Sequence, residues 1–274
     1  MDPARIEELV EPFLAPAHDQ RLTASDLQHI STYIDILQHW NSRINLTAIR
    51  DPEDIVTRHF GESLFAARHL FPKADVGSAA RGGPAEPSLA SHAVGEAIRG
   101  RAALKGRERG NEEKGALAPG ANDQRRTTND GLSVADIGSG AGFPGLVLKL
   151  WKPDIILTLI ESNYKKATFL REVTRALTLM DVNIQNARAE TLPARSFDVV
   201  TLRAVEHFEE ILPVAANLAK PAGRLALLIG ASQLARAQSA LPNHIWDEPM
   251  PIPSSRSRIL AVSRQPDLHT AEPG

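Results

Sequence analysis

The 274-residue chain contains no cysteine, which excludes a disulfide scaffold, a thiol nucleophile and Cys-ligated zinc or iron–sulfur sites. Its nine His are scattered, with no ligand pair at HxxxH or a similar spacing, so no metal site is expected. Excess charge is missing too. The 31 Lys+Arg nearly cancel the 33 Asp+Glu, for a net −2, so any nucleic-acid binding must use a local patch rather than bulk basicity. No apolar run approaches the ~20 residues of a membrane span. The first 14 residues are acidic and amphipathic and lack the basic start and apolar centre of a signal peptide, and a cytoplasmic protein is expected.

What is present divides the chain into three parts. Residues 1–75 read as a helical cap. Ser25 with Gln28 matches a capping box, and Leu27, Ile30, Ile34, Leu37 and Trp40 follow as one apolar stripe at helical spacing. Trp40 could stack on a base, but its place on the stripe points to the core. Asp51-Pro52 is a second helix start, a cap followed by Pro, and Ile55, His59, Ser63 and Leu64 lie close together on the helix it opens.

Residues 76–132 hold ten of the 18 Gly and no Phe, Trp or Tyr. Such a stretch cannot bury enough apolar area to offset its ordering entropy, and it reads as a low-complexity insertion or linker.

Residues 133–274 alternate short apolar runs with helical segments. Runs at 134–137, 155–161, 182–186, 197–202 and 225–229 are separated by helical patterns at 145–151, 164–177 and 208–218. That alternation predicts βαβ units, hence an α/β, doubly wound, Rossmann-like sheet with ligands at the carboxyl ends of its strands. Residues 245–246 and 257–263 are expected to pair as closing strands.

The most informative stretch is Asp136-Ile137-Gly138-Ser139-Gly140-Ala141-Gly142-Phe143-Pro144-Gly145. A strand enters alternating glycines and a helix follows near Pro144. Two ligand classes fit. Gly140 to Gly145 matches the dinucleotide fingerprint, a weak signal alone. The alternative is S-adenosyl-L-methionine (AdoMet). Asp136 favours the latter, because an acid before the first Gly suits a ligand carrying a cationic amino-acid moiety and repels a pyrophosphate. Glu161, 23 residues beyond Gly138, ends the second strand where a carboxylate accepts ribose hydroxyls. Ala189 and Glu190 follow the third strand, positioned to flank an adenine, and Arg203 follows the fourth.

These residues resemble the small-subunit ribosomal RNA methyltransferase G family (RsmG, also called GidB). The likeness is carried by Trp40-Asn41 with Ile44-Asn45-Leu46-Thr47-Ala48-Ile49, by His59 with Ser63-Leu64, by the 135–145 stretch and by Leu202-Arg203-Ala204-Val205. The resemblance implies a class I AdoMet methyltransferase sheet with an N-terminal helical extension, acting on N7 of a guanine in 16S rRNA or a small-subunit precursor; a monomer is expected. It implies cofactor contacts at Gly138, Phe143, Ala189, Glu190 and Arg203 and a ribose acid at Glu161, to which the glycine turn adds Gly140. No catalytic acid or base is named. The insertion at 76–132 departs from the family pattern, as does Glu62, where Asp is more usual. Competing readings are an AdoMet methyltransferase acting on a protein or small molecule, a nicotinamide-dependent oxidoreductase, and a non-catalytic RNA-binding protein on the same fold.

Overall fold

The computed structural model describes residues 1–15, 21–72, 131–203 and 207–266. Except for Gly131 and Leu132, the expected insertion lies outside the described residues, as do Ala204 and Val205.

Helix α1 (Pro3–Leu14) starts at Asp2, whose side chain accepts from Ala4 N, and buries Ile6, Val10, Phe13 and Leu14. Helix α2 (Ala24–Asn41) is opened by a capping box of Thr23 with Asp26, not Ser25 with Gln28. The Asp26 carboxylate accepts from Thr23 N at 2.8 Å, and Thr23 Oγ1 accepts from Asp26 N at 3.2 Å. Both residue pairs have capping-box spacing. The pair that carries a full negative charge at the positive helix end is the one used.

Asp51-Pro52 does start a helix, with Asp51 Oδ1 accepting from Glu53 N and Asp54 N. Helix α3 (Pro52–Ile55) runs into a π-helical stretch (Val56–Gly61) and then α4 (Glu62–Leu70) without a break. Gly61 is needed inside this stretch, because a Cβ there would meet the ring of Phe13.

The rest alternates as the apolar runs predict. It comprises β1 (Ser133–Ile137), α5 (Gly145–Trp151), β2 (Ile156–Ile160), α6 (Tyr164–Ala176), β3 (Val182–Gln185), β4 (Phe197–Arg203), α7 (Phe208–Leu218) and β5 (Ala219–Gly230). After these come α8 (Leu234–Ala240), β6 (Ile245–Trp246), β7 (Met250–Pro251) and β8 (Arg258–Arg264). The strand order is β3-β2-β1-β4-β5-β8-β6, with β7 also pairing β8. Strands β1 to β5 pair in parallel and β8 runs antiparallel to β5. The expected closing pair forms, with Ile245 opposite Arg264 and Trp246 opposite Ser263. Strand β5 begins six residues earlier than its apolar run suggests, and the short α8 has no counterpart in the sequence reading.

Alternate residues of the strands feed two cores. Val134, Leu157, Leu159, Val199, Ala226 and Leu228 join the apolar faces of α1, α2, α4, α5 and α6. Ala135, Ile137, Ile160, Val200, Leu202, Leu225 and Leu227 pack under α7, with Ala237 of α8. Helices therefore cover both faces of the sheet, the doubly wound arrangement. The order reverses between β1 and β4, and this switch point is where such sheets open a crevice beyond their carboxyl ends. Among the described residues, no helix is long and apolar enough to cross a membrane.

Candidate cofactor site

Four strand ends border the crevice, and each carries residues singled out in the sequence. Gly138, Gly140 and Phe143 follow β1, Glu161 follows β2, Ala189 and Glu190 follow β3, and Arg203 ends β4.

The turn after β1 is left-handed at Gly138 (φ 65°), Gly140 (φ 53°) and Gly142 (φ 84°), where a side chain would strain the backbone. Its amide groups are turned inward. Gly138 N and Ser139 N donate to Ile160 O at 2.9 and 3.1 Å, Gly140 N to Glu161 Oε2 at 2.9 Å and Gly142 N to Ser139 O at 2.6 Å. A pyrophosphate needs a row of amides pointing at it. These four point elsewhere, so the turn suits a ligand without phosphates.

The Asp136 carboxylate, which the sequence reading set toward a ligand, is enclosed within the fold. It is 0 % exposed. Oδ1 accepts from Thr201 Oγ1 at 2.8 Å, and Oδ2 from Gly145 N, at the start of α5, at 3.3 Å. Burial pushes its carboxyl up to about 6 against the opposing effect of those bonds. The residue shapes the turn by tying β1 to β4 and to α5.

Glu161 is buried, with Oε2 on Gly140 N and Oε1 on Asn163 N at 2.7 Å. Each oxygen keeps acceptor capacity for a hydroxyl. Above Gly140 there is open space, since an added Cβ would meet only Gly138 O, at 3.6 Å. Ala189 is buried and Glu190 exposed on a short 3-10 turn. A carboxylate acceptor, a side-chain-free turn and a small apolar residue fit a nucleoside carrying a ribose diol.

The side chains of Phe143 and Arg203 face inward. Phe143 is stacked between Tyr33 (centroids 5.3 Å apart, 4°) and His59 (4.7 Å, 17°), with Phe60 edge-on at 5.0 Å. The Arg203 side chain is 9 % exposed. Its Nη1 donates to His59 Nδ1 at 2.9 Å, and its Nη2 to Arg58 O at 2.6 Å and Glu62 Oε2 at 3.2 Å. Arg258 Nε lies 3.0 Å from the same Glu62 oxygen. At Phe143 and Arg203 the side chains are thus largely engaged within the protein, and what they leave toward the crevice is backbone and an edge.

His59 accepts from a guanidinium that can only donate, so the proton of its neutral ring sits on Nε2 and points at Thr47 Oγ1, 2.7 Å away. Burial and the positive charge of Arg203, Arg58 and Arg258 push this imidazole down to about 3. Sequence reading noted His59 by its helical spacing but missed Tyr33, whose hydroxyl donates to Ala141 O at 2.5 Å. The available signal was its place beside Ile34 on the buried face of α2. Trp40, half-buried, packs edge-on to Phe169 at 6.0 Å, the core role expected of it.

The switch point, the left-handed glycine turn after β1 and the carboxylate after β2 are those of a Rossmann-like, nucleoside-binding sheet. The family model described as rRNA small subunit methyltransferase G matches residues 26–87 and 123–246. The chain belongs to that family. A relative from Halorhodospira halophila, named ribosomal RNA small subunit methyltransferase G, is 31% identical over 269 residues, 97% of this chain and 96% of its own length. A relative of the same name from a Roseiflexus species is 33% identical over 260 residues, 90% of this chain and 87% of its own length.

Proposed function

We propose that this chain is an AdoMet-dependent methyltransferase that methylates N7 of a guanine in 16S rRNA, acting as a monomer in the cytoplasm. The observation that carries the cofactor assignment is Glu161, held by the amides of Gly140 and Asn163 beside a glycine turn whose own amides are already paired. The acceptor assignment rests on family membership.

AdoMet supplies an activated methyl group on a sulfonium. Glu161 accepts the ribose hydroxyls, and Gly138 and Gly140 let the ligand lie against the backbone. Ala189 and Glu190 flank the adenine. Guanine N7 carries a lone pair and no proton, so the transfer requires no general base. The residues at the crevice agree with this. Both His59 nitrogens are engaged, and the Asp136 oxygens are enclosed by Thr201 and Gly145. What the site supplies is alignment of two reactants and exclusion of water, effects large enough to carry a displacement of this kind.

Calorimetric titration with S-adenosylhomocysteine, with NAD as the control, tests the cofactor. Binding of the former alone is expected, with a loss of about tenfold or more in Glu161→Gln, as a charge-assisted hydrogen bond is worth roughly 1.5–3 kcal/mol. Incubation with small subunits lacking their N7-methylguanine, followed by nucleoside analysis, tests the acceptor. NAD binding alone would overturn the cofactor assignment, and label confined to protein would overturn the acceptor.

A further inference from the structure

Residues 42–51 form the loop that joins α2 to α3. It presents Arg43, Asn45, Ala48 and Arg50 to solvent. Its inner side is fixed by two side chains from outside the loop. Buried Asn41 donates Nδ2 to Thr47 O at 3.0 Å and accepts from Leu46 N and Thr47 N at 3.0 and 3.1 Å. His59 donates to Thr47 Oγ1, which also accepts from Ile49 N at 3.1 Å.

The His59 ring thus touches three separate pieces of chain. Its edge holds Thr47 of the loop, its face lies on Phe143 of the glycine turn, and Nδ1 takes Arg203 at the end of β4. The turn and the end of β4 are the two borders of the switch point. The loop is therefore fastened, through one imidazole, to both sides of the place where the reactants must meet. The π-helical stretch makes this possible, because its wide turn aims His59 and the carbonyl of Arg58 at the same guanidinium. Nε2 keeps its proton on Thr47 and Nδ1 is occupied by Arg203, so neither nitrogen is free to transfer a proton and the contribution of His59 is geometric.

We infer that His59 is a positioning residue that locks the 42–50 loop to the glycine turn, making the loop the acceptor-side wall of the crevice and presenting Arg43 and Arg50 to RNA phosphates. The RNA acceptor rests on the proposed function, while the coupling of loop to turn stands on the hydrogen bonds alone.

The test uses Thr47→Val, which removes the acceptor of His59 at nearly constant shape, and Thr47→Ser, which restores it. In Thr47→Val, kcat/KM for small-subunit RNA falls about tenfold or more, since slight misplacement of a reactant is costly. S-adenosylhomocysteine affinity stays close to that of the parent, the melting temperature falls by a few degrees because the His59 Nε2–H and the Ile49 amide lose their acceptor, and Thr47→Ser recovers both rate and stability. Amide exchange over residues 42–50 slows when S-adenosylhomocysteine binds the parent and Thr47→Ser, but not Thr47→Val. An unchanged kcat/KM in Thr47→Val, or a loss of S-adenosylhomocysteine affinity as large as the loss in kcat/KM, overturns the inference. A parent protein that binds S-adenosylhomocysteine but methylates no RNA overturns the proposed function instead. Exchange still decides the coupling in that case: slowing absent from the parent, or retained in Thr47→Val, overturns it, and slowing lost only in Thr47→Val supports it.

Discussion

Tyr33 and Phe143 lie face to face, their planes 4° apart, while the Tyr33 hydroxyl donates to the carbonyl of Ala141 two residues before that phenylalanine. A helix from the first part of the chain thus holds the glycine turn by a ring and a hydrogen bond, both fully buried. Tyr33→Phe keeps the stack and leaves the Ala141 carbonyl without its donor. Stability is expected to fall by about 1–2 kcal/mol, the cost of one unsatisfied buried acceptor. Urea denaturation with and without S-adenosylhomocysteine measures it, and an unchanged midpoint would contradict the role assigned to the hydroxyl.

Gly142 faces the same hydroxyl from the other side. Its φ is 84°, and a Cβ there would collide with Tyr33 Oη and with Leu146. Gly142→Ala combines backbone strain with overpacking, each about 1–3 kcal/mol. A drop of about 2–5 kcal/mol in unfolding free energy is expected, with loss of S-adenosylhomocysteine binding. Gly140→Ala strains the turn at φ 53° without the collision, so it should cost less.

Asp136 makes a distinct prediction for acid pH. Burial raises its folded-state value to about 6 from the 3.8 of an ordinary aspartate. Between about pH 4 and 6 the native protein holds a proton that the unfolded chain has released, so this residue makes stability fall as pH rises. Asp136→Asn keeps an acceptor for Gly145 N and removes the titration. The stability difference, variant minus parent, should therefore grow in favour of Asn from pH 4 to pH 6, by of order 2 kcal/mol, and stay constant above. A flat difference across that window would show that Asp136 ionises normally.

Among the described residues, Glu62 is the only acid paired with both Arg203 and Arg258, and its side chain is 4% exposed. Glu62→Gln leaves two guanidiniums without their counter-charge beside His59. Removing one partner of a buried pair costs roughly 3–5 kcal/mol. Guanidinium denaturation of Glu62→Gln and Glu62→Asp separates charge from reach: a loss of about 3 kcal/mol in the former and less in the latter is expected. Equal stability of Gln and parent would mean the pair contributes no net energy.

The sheet was readable because a buried parallel strand is a short apolar run, and Gly145–Trp151 and Phe208–Leu218 begin and end where the sequence indicates. The start of β5 was not, since Lys220-Pro221-Ala222-Gly223 has the composition of a turn, and Ala222 is left-handed there (φ 59°). The glycine turn after β1 and the acid after β2 were legible because their spacing is local. The burial of Asp136 was not, because it depends on Thr201 across 65 residues. The ring of contacts around His59 was hidden for the same reason, as Arg203 lies 144 residues away. Nothing in Val56-Thr57-Arg58-His59-Phe60-Gly61 announces a π-helical stretch, which packs Gly61 against Phe13 and Phe60 against Tyr33, both far off in the chain.

The sheet's two margins have a consequence for how the molecule behaves at high concentration. One margin is β3, four residues long, and the other is built from β6 and β7, two residues each, with Pro251 unable to donate a backbone hydrogen bond. A foreign strand seeking to extend the sheet finds only short, interrupted rows of amides and carbonyls, the arrangement by which β-containing proteins resist edge-to-edge aggregation.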